Sequence, residues 1–339
     1  MNQDLTLLIG EERGLLRVTS IDNGKTWGAL EPVIPDVQAY AVRGGPDGTV
    51  YVGTRGHGIF RSRNGLRDWE AIDAPPALQK TRSLCITSDR VLAGTEPAGV
   101  WEWVGQARWE PVGEIQTCPN AGEWWYPVQG MDHHIRHLAV DPRLAGRIYA
   151  AVQVGGVAIT ADNGETWADH RNLDLDVHMV EPHPTRPGVV YAGTGGEGLF
   201  RSTDHGETWA MISGGCGNFV VEFALDPQDP DRMYLGTAQG GVREWRENPT
   251  VGARGEVFRS DDGGESWQKL RGGLPELMQS RIDTMAIDTV DPANVFVGAG
   301  GGRRNGAQDG GIFHSPDRGE TWTKIASVDD PLSLWCARP

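Results

Sequence analysis

The chain has 339 residues, 47 of them glycine and 21 proline, and a formal net charge of −15. That charge argues against nucleic acid or an anionic membrane surface as a partner, and no apolar run approaches the ~20 residues that a membrane helix requires. The four cysteines, Cys85, Cys118, Cys216 and Cys336, lie far apart without metal-ligand spacing. The first ten residues lack a basic region and a small-residue cleavage site, so they read as a strand rather than a signal peptide, and a cytoplasmic address is expected.

In chain order, the strand Leu5 to Gly10 leads to Ser20-Ile21-Asp22-Asn23-Gly24-Lys25-Thr26-Trp27. This pattern, S-x-D-x-G-x-[TS]-W, returns at Thr160 to Trp167, Ser202 to Trp209, Ser260 to Trp267 and Ser315 to Trp322. Two worn copies keep its spacing, Ser62 to Trp69 with Asn64 for the aspartate, and Glu102 to Trp109 with little but the tryptophan. Seven tryptophans therefore mark seven units, roughly 40 to 60 residues apart, which is the signature of a repeat fold.

Each unit reads as four short strands, A to D. An apolar A strand leads to a turn, often Asp-Pro. A B strand ends in Gly-Thr, as in Tyr51-Val52-Gly53-Thr54 and Tyr191-Ala192-Gly193-Thr194. A short C strand runs into the repeated turn, whose tryptophan begins strand D. Seven such sheets predict an all-β, seven-bladed β-propeller of four-stranded antiparallel blades, one domain over 1–339. The first unit lacks an A strand, and Ser333 to Ala337 matches one, so the last strand is expected to pair with Leu5 to Gly10 and close the ring. Asp22, Asp162, Asp204, Asp262 and Asp317 are expected to serve their turns rather than catalysis, because Asp and Ser side chains accept bonds from turn amides and the glycine supplies a positive φ.

The repeated motif resembles the Asp-box, or bacterial neuraminidase repeat, of the sialidase-like β-propellers, over nearly the whole chain. The resemblance implies the propeller. It leaves the activity open, because the repeat occurs in sialidases, xyloglucan-cleaving enzymes, sorting receptors and photosystem assembly factors. The sialidases are similar in repeat but six-bladed, and their Arg-Ile-Pro signature is absent here, where the chain has Gly14-Leu15-Leu16-Arg17.

Three insertions, 112–132 between D and A strands and 238–254 and 299–310 between B and C strands, are expected on one face, opposite the repeated turns. Long loops gathered on one side of a rigid scaffold are where function usually sits. Aligning the A strands by their Asp-Pro turns puts Gln38, Arg82, Arg136, His137, His178, Glu222 and Asp283 at the channel mouth of that face. Arginines and carboxylates neutralising one another would explain such a ring equally well.

The densest cluster is Met131-Asp132-His133-His134-Ile135-Arg136-His137. Strand alternation puts His133 and His137 on one side. With His178 on the next A strand they suit a divalent metal; alternatively, His137 or His178 acts as acid or base with Asp283 or Glu222; ordinary surface histidines are the third reading. Arg82, Arg136, Gln38 and His57 are expected to hold substrate, with Trp124 and Trp125 stacking on it or folding the loop down, and Arg303 adding a cation. Two functions stand side by side. One is a hydrolase or lyase acting on a small anionic or glycan-like substrate. The other is a non-catalytic scaffold that grips a protein or ligand.

Overall fold

The computed structural model describes residues 4–105, 108–170, 172–173, 176–300 and 309–338. It contains seven four-stranded antiparallel sheets, the blades of a seven-bladed β-propeller. The A strands of blades 2 to 7 are Gln38–Gly44, Thr81–Ile86, Ile135–Val140, Val177–Pro182, Phe219–Leu225 and Arg281–Ile287. Blade 1 is composite. Pro331–Ala337 supplies its A strand and pairs antiparallel with Leu5–Glu11, from Thr6 opposite Ala337 to Glu11 opposite Pro331. The expected closure is therefore present. Among the described residues no helix is long and apolar enough to cross a membrane.

The chain divides into two compact units. Tyr40–Met211 holds blades 2 to 5, and Met1–Ala39 with Ile212–Pro339 holds blades 6, 7 and 1. In both units the cores lie between consecutive blades. Leu92, Val100, Ile135, Leu138, Ala150 and Trp167 form one such core in Tyr40–Met211. Leu5, Leu7, Ile9, Phe296, Ile312 and Leu334 form one between blades 7 and 1.

The repeated turn explains why these blades form. Ser20 Oγ accepts the Gly24 amide at 2.8 Å and donates to Asp22 Oδ1 at 2.8 Å, while Asp22 takes the Thr26 amide and hydroxyl at 2.8 and 2.7 Å. The same four bonds recur around Asp162, Asp204, Asp262 and Asp317. Bonds from Thr26, with one from Ser20, bring the exposed Asp22 carboxyl down to about 2. The turn needs two consecutive left-handed residues rather than the glycine alone: Asn23, Asn163, His205 and Arg318 have φ near 60°, each just before the glycine. Asparagine tolerates that region best. The tryptophan then fills the gap to a neighbouring blade, as Trp27 does edge-on against Phe296 and His314.

One local irregularity recurs and positions the candidate site. In blades 3, 4, 5 and 7 the A–B ladder skips a residue near the start of the A strand. The residues the ladder passes over are Arg82, Arg136, His178 and Asp283. In blade 6 the skip spans Val221 and Glu222. A bulge releases its extra residue from the ladder and re-aims its side chain.

Candidate functional site

In Tyr40–Met211 the B–C turns meet the residues that lead into the A strands. The Gly56 amide donates to Gln79 O, that of Glu96 to Lys80 O, Ala98 to His133 O, Gln153 to His134 O and Gly195 to Asp176 O. These contacts place the extra residues of three bulges, Arg82, Arg136 and His178, beside the B–C turns.

The strongest feature there is a carboxylate the sequence reading missed. Glu96 is fully buried, and its Oε1 lies 3.1 Å from Lys80 Nζ and 3.6 Å from Arg55 Nη2. Its Oε2 lies 3.0 Å from Nε of Arg82, itself almost buried. The Arg82 guanidinium is stacked over the Tyr40 ring, 4.1 Å from its centroid. Tyr40, two residues beyond the expected Gln38, is thus the blade-2 partner of Arg82; Gln38 is half-buried at the start of its strand.

A second group continues from it. Arg136 Nη1 donates to Gln153 Oε1 at 2.9 Å, and His178 Nε2 lies 3.3 Å from Asp176 Oδ1. Burial pushes the Asp176 carboxyl up, but His178, Arg136 and Gln153 outweigh it and bring it down to about 2. Between the two groups His134 is buried, its Nδ1 donating to Asp132 O at 2.9 Å and its ring lying edge-on to Tyr126. Burial, with the nearby Arg82 and Arg136, drives its imidazole down to about 2, so it is neutral.

The expected metal trio does not form. Among the described residues no three His, Cys, Asp or Glu side chains are grouped to hold a metal ion. The bulge at Arg136 is the reason. It puts Ile135 and Leu138 on one face and turns His137 toward blade 5, where its Nδ1 meets Val180 O at 3.0 Å. His133 packs edge-on against Trp124, and His178 is held by Asp176. His137 also loses its role as an acid or base near neutrality, because burial, with Arg43 and Arg136 adding repulsion, drives it down to about 3.

Neighbouring residues of the 112–132 insertion have opposite fates. Trp124 is buried in the core with Ile115, Cys118 and Trp167, so it holds the loop down and offers no stacking face to a substrate. Trp125 is 56% exposed. His57 is exposed on its B–C turn. In the other unit, Asp283 pairs closely with Arg281, and Glu222 Oε2 accepts the Met285 amide at 3.0 Å, which ties blade 6 to blade 7. The 238–254 insertion forms the short helix Val242–Glu247 on the buried Trp245. Arg303 and most of its insertion lie outside the described residues.

Glu181, further along the blade-5 A strand, is pushed up to about 7 by burial, with Arg43 pulling the other way. Its folded form thus binds a proton more tightly than the unfolded chain, whose ordinary value is 4.5. The contribution to stability is full below that value and is lost as pH rises through 7. Glu181→Gln is expected to match the parent at pH 4.5 and to exceed its stability at pH 8.5 by on the order of 2 kcal/mol. Urea denaturation at the two pH values checks this, and equal differences at both would refute it.

Comparison with known proteins adds the following. The Sortilin-Vps10 family, described as "Sortilin, neurotensin receptor 3", matches residues 197–330, under half of the chain. A xyloglucanase of Paenibacillus sp is 32% identical over 120 residues, 34% of this chain and 10% of that protein. Xyloglucanase Xgh74A of Acetivibrio thermocellus is 31% identical over 118 residues, 33% and 12% respectively. The chain matches only about a tenth of the length of these relatives. Among solved structures, the GH74 xyloglucanase from Xanthomonas campestris superposes with a TM-score of 0.65 at 18% identity, covering 95% of this chain and 52% of that one. YCF48 from Cyanidioschyzon merolae superposes with a TM-score of 0.59 at 16% identity, covering 93% and 95%. At these identities the solved structures speak for the fold.

Proposed function

We propose that this is a sialidase-like, Asp-box propeller that acts as a hydrolase or lyase on a small anionic or glycan-like substrate. The observation that carries the reading is a concentration of cations in an acidic chain. Arg55, Lys80, Arg82 and Arg136 converge on the B–C turns of blades 2 to 4, although the net charge is −15. The same run of contacts ends in His178 and Asp176. A carboxylate beside an imidazole fixes its orientation and stabilises its protonated form. His178 would then take a proton from an attacking water or a substrate carbon and return it to the leaving group. The regional likeness to xyloglucanases favours a glycan.

Release of reducing ends from xyloglucan oligosaccharides and from acidic oligosaccharides tests this. His178→Ala is expected to lower kcat about 10²–10⁴-fold with little change in KM. The reading fails if no glycan is cleaved by the parent protein, or if cleavage survives the substitution unchanged. The second reading, a scaffold without chemistry, is favoured by the exposed Trp125 and Val128 of one insertion. A fold neighbour, YCF48, has been solved bound to a D1 peptide.

A further inference from the structure

The charges around Glu96 do not balance. Three cations face one fully buried carboxylate, which leaves two positive charges in excess. Gathering like charges is costly where water is scarce, and a purely structural lock for the turn after Thr95 would need one cation, or two. The adjoining group is balanced, with Arg136 near Asp176. His134, between them, is neutral, and Asp132 acts on His133 in the insertion. The cations also differ in access. Arg82 is 5% exposed and clamped on Tyr40, whereas the side chains of Arg55 and Lys80 are 27% and 38% exposed. Two cations reach solvent from a fixed charged base, the arrangement of a receiving site.

We propose that Arg55, Lys80 and Arg82 receive a dianionic tetrahedral group, a phosphomonoester or free phosphate, with Glu96 as the fixed counter-charge that holds the three in register. The guanidinium of Arg55 offers a planar fork and Lys80 a point charge, which together suit phosphate oxygens. The excess of two charges matches a phosphomonoester above its second pKa near 6, or free phosphate about a unit higher, and exceeds what a single carboxylate neutralises. The inference rests on the proposed binding face and gives its ligand a chemical class.

The test titrates the full chain with inorganic phosphate by calorimetry and thermal melting, at fixed ionic strength because exposed charges are screened. Acetate serves as the monoanion. Phosphate is expected to bind at pH 8 with a saturable rise in Tm. Binding should weaken as pH falls through the second pKa of the anion used, about 6 for a phosphomonoester and about a unit higher for inorganic phosphate, where the monoanion forms. Arg55→Ala and Lys80→Ala should each weaken phosphate about tenfold or more. Comparing phosphate with a hexose phosphate tells a free ion from an ester.

The proposal is overturned if phosphate does not bind the parent protein, binds no better than acetate, or binds both variants as tightly as the parent. The wild-type pH dependence stands as a test even if a variant misfolds. Glycan cleavage that depends on His178 without phosphate binding would remove this inference and leave the proposed function intact. Phosphate binding without cleavage would do the reverse.

Discussion

Removing the strand Pro331–Ala337 is expected to abolish cooperative folding, far beyond the effect of trimming a chain end. The strand pairs along Leu5–Glu11, and its Leu334 and Cys336 are buried with Leu5, Leu7, Ile9, Phe296 and Ile312. Arg338 adds ties just beyond it, pairing with Asp288 and donating to Asn23 Oδ1 at 2.7 Å. Without the strand, blade 1 presents an unpaired, largely apolar edge, which templates aggregation. Losing Leu334 alone should cost about 2–5 kcal/mol. The ladder and the remaining contacts bring the loss to the size of a whole domain's stability, about 5–15 kcal/mol. Calorimetry should show no sharp transition for the truncated chain, and a graded loss for Leu334→Ala. A peptide spanning 330–338 supplied in excess should restore part of the transition. A truncated protein that stays monomeric and melts sharply would contradict this account.

Glu96→Ala is expected to be the most damaging substitution of a charged side chain, lowering stability by about 3–5 kcal/mol. It would leave Arg82, 5% exposed, without its counter-charge, and release the hold on Lys80 and Arg55. Glu96→Gln should fall between, because the amide keeps the shape and loses the charge. Arg82→Leu in the Glu96→Ala background should recover part of the loss, since removing both partners of a buried pair costs less than stranding one. Chemical denaturation of the parent, Glu96→Ala, Arg82→Leu and the double variant closes the cycle, with Glu96→Gln measured beside them. A cost below about 1 kcal/mol for Glu96→Ala would place the carboxylate in effective contact with water.

The sequence revealed what is held by contacts close in the chain. The turn from Ser20 to Trp27 makes all its defining bonds within eight residues, so each copy announces a hairpin. The worn copy keeps the device with Asn64, whose Oδ1 accepts the Asp68 amide at 3.1 Å. Asp-Pro turns and their less regular counterparts fix the far ends of the A strands, so the sequence alone sets Arg82, Arg136, His178 and Asp283 in one register, the one their bulges share. Tyr40 was missed because Gly45-Pro46-Asp47 gives blade 2 a different turn, and the alignment slid by two.

Glu96 was invisible for another reason. Its partners come from Arg55 and Lys80, in other strands and turns, although a charged residue directly after Gly-Thr in blades 2 and 3 was a signal available to a stricter repeat alignment. The histidine faces were misread because alternation assumes an unbroken ladder, and whether a residue is skipped depends on the partner strand. Trp124 and Trp125 differ only in how the insertion docks, which no local pattern encodes.

The skipped residues carry a consequence for how such a molecule changes. Ile135 faces Val152, His137 faces Ala151 and Leu138 faces Ala150, so the pairing would run on unbroken were Arg136 absent. The strand keeps its reading frame with or without that position. Selection on strand register therefore bears weakly on it, and the same holds for Arg82, His178 and Asp283 in their own blades. These are positions where one scaffold can exchange one side chain for another while every blade remains in phase.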